Sequence, residues 1–313
     1  MSQIYVLGEA LMDCVAQPNG DLRPMIGGSP YNFARAAALR GASVGYLNPL
    51  SSDLYGDAMR QQFAQDGVQV LTPASSMPTT LAVVQLKDGQ PSYGFYREGV
   101  ADRDFNVDQI LAVLKQTAPG ILHTGSLMLV PPEHAKVIAI AQAAKAMGWT
   151  LSVDVNLRPR LAADLAQYIA AVKCLADQAD WLKASDEDLE LLGFAAPTRA
   201  EAPRIAQHFK AQGISRLALT FGASGAWLMV DGASAEQDVP TVAIIDTVGA
   251  GDTFWGNCVA DWAADLNAVA HNAPKHAAIR VATTLHQAMK AAAINCTRAG
   301  CQPPRFDEIL SEN

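Results

Sequence analysis

The chain contains no Walker phosphate loop, no G-x-G-x-x-G turn after its first strand, no G-x-S-x-G elbow and no H-E-x-x-H pair. A dinucleotide-dependent dehydrogenase and an α/β-hydrolase thereby lose their main support. The six histidines stand singly, which argues against a dedicated zinc site. No basic run occurs and the net charge is −8, so a nucleic-acid footprint is excluded. No apolar stretch reaches membrane-spanning length, and the N-terminus opens directly on strand-like sequence. Cysteine is scarce and odd in number (Cys14, Cys174, Cys258, Cys296, Cys301), as expected of a reduced, cytoplasmic chain.

Half of the 313 residues are hydrophobic and 17% are charged, ample for a sizeable core in one large α/β domain or two. Chemistry concentrates near the C-terminal third. A β-branched run, Val239 and then Val242 to Ile245, reads as a buried strand. It passes through Asp246-Thr247-Val248-Gly249-Ala250-Gly251-Asp252 into a helix with Phe254, Cys258, Val259, Trp262 and Leu266 along one face. A glycine turn opening a helix leaves N–H groups free at the positive end of the dipole, which makes an anion site. Asp252 there is either a dipole-stabilising residue or a base facing whatever the anion hole receives.

Near the N-terminus, Ile4 to Leu7 reads as a strand, and the Asn19-Gly20 turn marks a hairpin across residues 13–26. Gly27-Gly28-Ser29-Pro30 then leads into an alanine-rich helix with Ser29 placed to cap it. Asn32, one turn in, can face whatever the glycines approach. A second hairpin spans about 79–97, with its turn at Lys87-Asp88-Gly89-Gln90 and Arg97 at its end. Set apart from the βα rhythm, it reads as a flap.

From about residue 105, strands and helices alternate, which predicts a mostly parallel sheet with helices on both faces. Ligands sit off the carboxyl ends of such strands. The polar residues at those ends are Asp154, Asn156 and Arg158, then Ser185 and Asp188, then Thr220 and Gly222. With Asp246 and Asp252 they converge on one edge, and an anion hole beside a carboxylate suits phosphoryl transfer.

The stretch Asp246 to Asp252 resembles the C-terminal signature of the ribokinase-like (PfkB) sugar kinase family, and Gly27-Gly28 with Asn32 resembles its N-terminal one. Gly8-Glu9-Ala10-Leu11-Met12-Asp13, Phe95-Tyr96-Arg97 with Ala101-Asp102, and Asp154 to Arg158 are most similar to fructokinases within it. The resemblance covers essentially the whole chain. It implies a single three-layer α/β domain over 1–313 with a central mostly parallel sheet and a small β lid at about 13–26 and 79–97. It implies ATP-dependent phosphorylation of a sugar's primary hydroxyl, D-fructose to fructose 6-phosphate, with Mg²⁺.

By position, the resemblance makes Asp252 the base and the N–H groups of Gly249, Ala250 and Gly251 the anion hole. Asp13, Gly27, Gly28 and Asn32 would bind the sugar, with Asp13 alternatively a plain hairpin residue. Arg97 and Arg158 would reach substrate or phosphate, while Ser185, Thr220, Gly222 and Gly225 would lie along the nucleotide. Lids in relatives often pair, which implies a homodimer through the lid strands. Two departures stand out. Asp188 occupies the place of a longer family carboxylate that holds hydrated Mg²⁺, and Ser185 with Asp188 also resembles a helix capping box, leaving Glu187 as the neighbouring alternative. A K⁺ site would draw on Asp246 with carbonyls of Val248, Asn295, Arg298 and Gly300, but Pro304 stands where ribokinases place a hydroxyl ligand. Kinases for aminoimidazole riboside or 2-keto-3-deoxygluconate remain alternatives, as does an inactive sugar- or nucleotide-binding regulator.

Overall fold

Short β-branched runs alternating with amphipathic helices give a large central sheet, seen here in a computed structural model that describes residues 3–17, 19–87, 90–265 and 274–311. From the N-terminus, β1 (Ile4–Val6) is followed by the hairpin β2 (Leu11–Ala16) and β3 (Leu22–Gly27). Next come α1 (Ser29–Leu39), β4 (Val44–Tyr46), α2 (Leu54–Asp66) and β5 (Val68–Val70). The second hairpin, β6 (Thr80–Lys87) and β7 (Gln90–Tyr96), precedes α3 (Val107–Lys115). Its turn tip, Asp88-Gly89, lies outside the described residues.

The βα rhythm continues through β8 (Ile121–Gly125), α4 (His134–Ala146), β9 (Thr150–Asp154), α5 (Leu165–Ala176), β10 (Trp181–Ser185) and α6 (Asp186–Leu192). It closes with α7 (Ala202–Ala211), β11 (Arg216–Thr220), β12 (Ala226–Val230), β13 (Ala233–Gln237), α8 (Ala250–Asp265), α9 (Pro274–Cys296) and α10 (Phe306–Leu310).

Nine strands form the main sheet in the order β13-β12-β11-β10-β9-β8-β1-β4-β5. Neighbours from β11 to β5 run parallel, and β12 adds an antiparallel hairpin with β13 at one edge. Strand side chains alternate between faces. Tyr5, Leu7, Leu122, Leu151, Val153 and Leu217 therefore join one core with residues of α3 to α7. Ile4, Val6, Ile121, Trp181 and Ala218 join the other, with α1, α2, α8 and α9. The three-layer reading is thus observed. The two hairpins form a separate sheet, β3-β2-β6-β7, in which β2 and β6 pair in parallel.

Two local expectations fail. No strand forms over 239–245: the chain leaves the sheet at Gln237, and Ile244 and Ile245 are about two-thirds exposed. The β-branched run favours an extended backbone by its own sterics, but the chain does not lay it along β13, the terminal strand of the sheet. Its backbone is tied instead to the carbonyl of Cys296, which accepts from Ile245 N at 2.8 Å. Ser29 does not cap α1 either. Gly28 holds that position with φ +106, where a Cβ would meet the Glu9 carbonyl oxygen at 2.6 Å. The Ser29 side chain is thereby released for another partner.

What positions the site is the contact of α1 with α8. A Cβ on Gly256 would lie 2.8 Å from Ala36 Cβ and 2.9 Å from the Phe33 carbonyl oxygen, so glycine on one helix and alanine on the other set the spacing. Gly256→Val overpacks this seam. We expect a loss of about 1–3 kcal/mol in denaturant unfolding, together with reduced turnover because the two helices carry the site; unchanged stability would refute the close-packing account.

Candidate active site

Asp252 lies in the first turn of α8 and is buried. Its Oδ1 accepts the Ser29 hydroxyl at 2.7 Å and its Oδ2 accepts the Asn32 amide at 2.9 Å, both from α1. Burial raises its pKa above the ordinary aspartate range, while those two hydrogen bonds and the charges of Lys183 and Arg158 pull it back. A buried, oriented carboxylate with an upward-shifted pKa is a competent proton acceptor.

The turn before it is built for anions. Gly249 has φ +73, and a Cβ there would strike Cys301 Sγ at 2.2 Å, so only glycine fits. Of the amides expected to form the hole, Ala250 N donates to the Thr247 carbonyl at 3.2 Å. Those of Gly249, Gly251 and Asp252 have no hydrogen-bond partner among the described residues. The three amides left free at this turn are thus those of Gly249, Gly251 and Asp252 rather than the Gly249, Ala250 and Gly251 set expected.

Beneath this turn sits a residue the sequence reading passed over. Lys183 is buried, and its Nζ would lie 3.3 Å from a Cβ on Gly251. It donates to both carboxylate oxygens of Asp154 at 2.9 Å from the adjoining strand. Burial works against the ammonium, but Asp154, Asp188 and Asp252 outweigh it and hold Lys183 above its ordinary range. Burial pushes Asp154 up to about 6, still ionised at neutral pH. A cation under a helix N-terminus opposes the dipole and makes electrostatic sense where anions gather. The available signal is a lysine inside an otherwise apolar strand, Trp181–Ser185. His123, on the same sheet face, is pushed down to about 3 by burial and Lys183, so it stays neutral.

The strand ends converge as expected. Ser185 and Thr220 are register partners on β10 and β11, with Gly222 (φ +50) and Gly225 (φ +90) in the turn that follows. Asp188 is committed to the chain: Oδ2 accepts Ser185 N and Oγ, both at 2.8 Å, and Oδ1 accepts Leu157 N at 2.7 Å. This is a capping box, and Glu187 beside it is exposed. Asp246 likewise binds backbone, with Val248 N at 3.0 Å and Gly300 N at 2.8 Å, while the Asn295 amide donates to the Val248 carbonyl at 2.8 Å and Arg298 N to the Asn295 carbonyl at 3.0 Å. All five proposed K⁺ residues therefore fall in one knot. Among the described residues, no group of three or more His, Cys, Asp or Glu could hold a metal.

On the lid side, Asp13 on β2 lies against Gly27, where a Cβ would meet its Oδ2 at 2.1 Å. Burial, aided by Asp252 and Asp246 and opposed by Arg158, pushes it up to about 6. Arg158 is exposed, and among the described residues its guanidinium donates to backbone carbonyls, at 3.0 Å to Leu157 and 3.4 Å to Asn156. Arg97 is not a surface arginine: it is buried, 3.6 Å from the buried Asp102. Nearby, buried Glu9 accepts Ser29 N at 3.3 Å and is pushed up to about 7 by burial, against Arg97.

Glu9 carries a pH prediction. Its carboxyl holds a proton up to about 7 when folded but only to 4.5 when unfolded. The folded chain then binds more protons across that window, so stability is greatest below it and falls as pH rises from 4.5 to 7, by about 3 kcal/mol at most. Glu9→Gln is expected to flatten denaturation midpoints across that range and to exceed wild type most above pH 7. An unchanged slope refutes the assignment.

Comparison with known proteins identifies the family. Residues 1–308 match the model of the pfkB family carbohydrate kinases. A fructokinase from Rhizobium leguminosarum bv. trifolii is 29% identical over 80% of this chain and 77% of its own. One from Vibrio alginolyticus is 30% identical over 83% and 84%. The structure of a Xylella fastidiosa fructokinase with bound ATP superposes with a TM-score of 0.82 at 29% identity, covering 98% of this chain and 97% of that one.

Proposed function

The chain belongs to the pfkB family of carbohydrate kinases, and from that premise we propose that it phosphorylates D-fructose on its primary 6-hydroxyl with ATP. The observation that carries this reading is the buried Asp252 facing free amides at a helix N-terminus. Asp252 takes the hydroxyl proton as the sugar oxygen bonds to the γ-phosphorus. The bond from that phosphorus to the β,γ-bridging oxygen breaks, and ADP leaves with the electron pair. The amides of Gly249, Gly251 and Asp252 meet the charge on the phosphoryl group in transit, with Lys183 adding field from below. The ATP-bound Xylella fructokinase supports the nucleotide assignment, which we extend to Ser185, Thr220, Gly222 and Gly225 here.

Asp13, Gly28 and Asn32 border the position of the sugar, and the four-stranded sheet is the lid that excludes competing water. Mg²⁺ supplies charge neutralisation on the nucleotide's phosphates. The donor set offers it Glu187, and Asp188 only through a water on Oδ1, since Oδ2 is spent on Ser185. The Asp246 knot is already closed by its own amides, so a K⁺ ion there would reinforce the loop rather than create it. A neutral ketose fits better than an acidic sugar, because of the two arginines expected at the substrate Arg97 already faces Asp102, which leaves Arg158 alone to meet an acid group.

Asp252→Asn is expected to lower kcat by about 10²–10⁴-fold with little change in ATP affinity; near-normal turnover would remove Asp252 as the base. Mg-ATP with a panel of fructose, ribose, aminoimidazole riboside and 2-keto-3-deoxygluconate, read as ADP release, tests the substrate. Fructose should give the highest kcat/KM. Binding without turnover of any sugar would instead favour a regulatory protein.

A further inference from the structure

A cavity of about 580 Å³ is walled by β3, α1, α2 and the segment that follows α9. Four arginines line it, Arg23, Arg35, Arg298 and Arg305, against two carboxylates, Asp66 and Glu308. On a chain with net charge −8, this is a local reversal of sign. The two carboxylates are already engaged: Arg35 Nε pairs with Asp66 at 2.6 Å, and Arg298 pairs with Glu308. Arg23 and Arg305 are exposed, and no salt bridge within 4 Å is made by either guanidinium among the described residues, although Arg305 is near enough to Glu308 to help lower that carboxyl's pKa. Four guanidiniums against two carboxylates leave an excess of positive charge that the cleft's own residues give no reason to gather. An anion with two charged groups gives one, since each guanidinium offers a forked donor pair matched to phosphate.

We infer that this cleft binds a small metabolite bearing two phosphate groups, and that its occupancy regulates the active site. The volume lies within the range of small-molecule sites. The walls connect directly to the chemistry. Arg35 stands one turn beyond Asn32 on α1, the helix whose Ser29 and Asn32 hold Asp252. Arg35 Nη1 also donates to the Cys301 carbonyl at 2.8 Å, and the Cys301 side chain fills the space beneath Gly249. The neighbouring Gly300 amide holds Asp246. A bound bisphosphate competes with Asp66 for Arg35 and with Glu308 for Arg298. It therefore changes the support of both the base and the anion turn without touching either.

The test uses the full chain with its active site filled by excess fructose and a non-hydrolysable Mg-ATP analogue. Titration calorimetry with fructose 1,6-bisphosphate is expected to show one saturable site per chain, weakening with salt as charge pairing requires. Inorganic phosphate, with a single group, should bind about tenfold or more weakly, and Arg23→Ser/Arg305→Ser should lose a similar factor. That double variant should keep basal turnover, while the bisphosphate should alter turnover in the wild type alone. No saturable binding, or equal binding by the double variant, overturns the site. Equal affinity for phosphate overturns the two-group ligand, and binding without any change in wild-type turnover overturns the regulatory role.

Discussion

A single buried carboxylate, held by two hydrogen bonds from a helix more than 200 residues away in sequence, is the constraint that the rest of the structure serves. Taking Asp252 out of water is costly on its own. Ser29 and Asn32 offset that cost and fix its orientation, while Lys183 and Arg158 temper the rise in its pKa. Each supporting group depends on another element. Ser29 is available only because glycine takes the cap of α1, and Lys183 is held in place only because β9 presents Asp154 opposite it. The glycine–alanine seam of α1 and α8 brings the two halves within hydrogen-bonding distance.

The buried charges follow one rule across the site. Lys183 meets Asp154 along the sheet, Arg97 meets Asp102 at the base of the lid, and Arg35 meets Asp66 at the back of α1. Such pairs contribute little net stability and hold direction well. Each joins a helix or strand to a neighbouring segment, so that the spacing around Asp252 is set by packed elements.

Much of this was legible in the chain itself. The alternation of strands and helices, the two hairpins, the glycine turn with Asp252, and the convergence of Ser185 and Thr220 all follow from periodicity and turn chemistry. Three things were not. The run from Val242 to Ile245 carries a strand's residues but is held by the Cys296 carbonyl instead of by the sheet, a fact about tertiary contacts rather than local preference. The partner of Ser29 lies on another helix, so local capping rules pointed to the wrong use of its hydroxyl. Lys183 and Glu9 matter through burial among distant charges, which adjacent residues do not report.

The separation between α1 and α8 also bears on how the molecule comes into being. Until the last quarter of the chain has emerged from the ribosome, α1 has no α8 to cover Phe33, Ala36 and Ala37, and Asn32 has no carboxylate to bind. β1, at the heart of the sheet, waits likewise for β8 to arrive from over a hundred residues downstream. Long-range closure of this kind slows folding and leaves apolar surface in view meanwhile. A chain that lacks α8 therefore leaves this face of α1 uncovered and the Asn32 amide without its carboxylate.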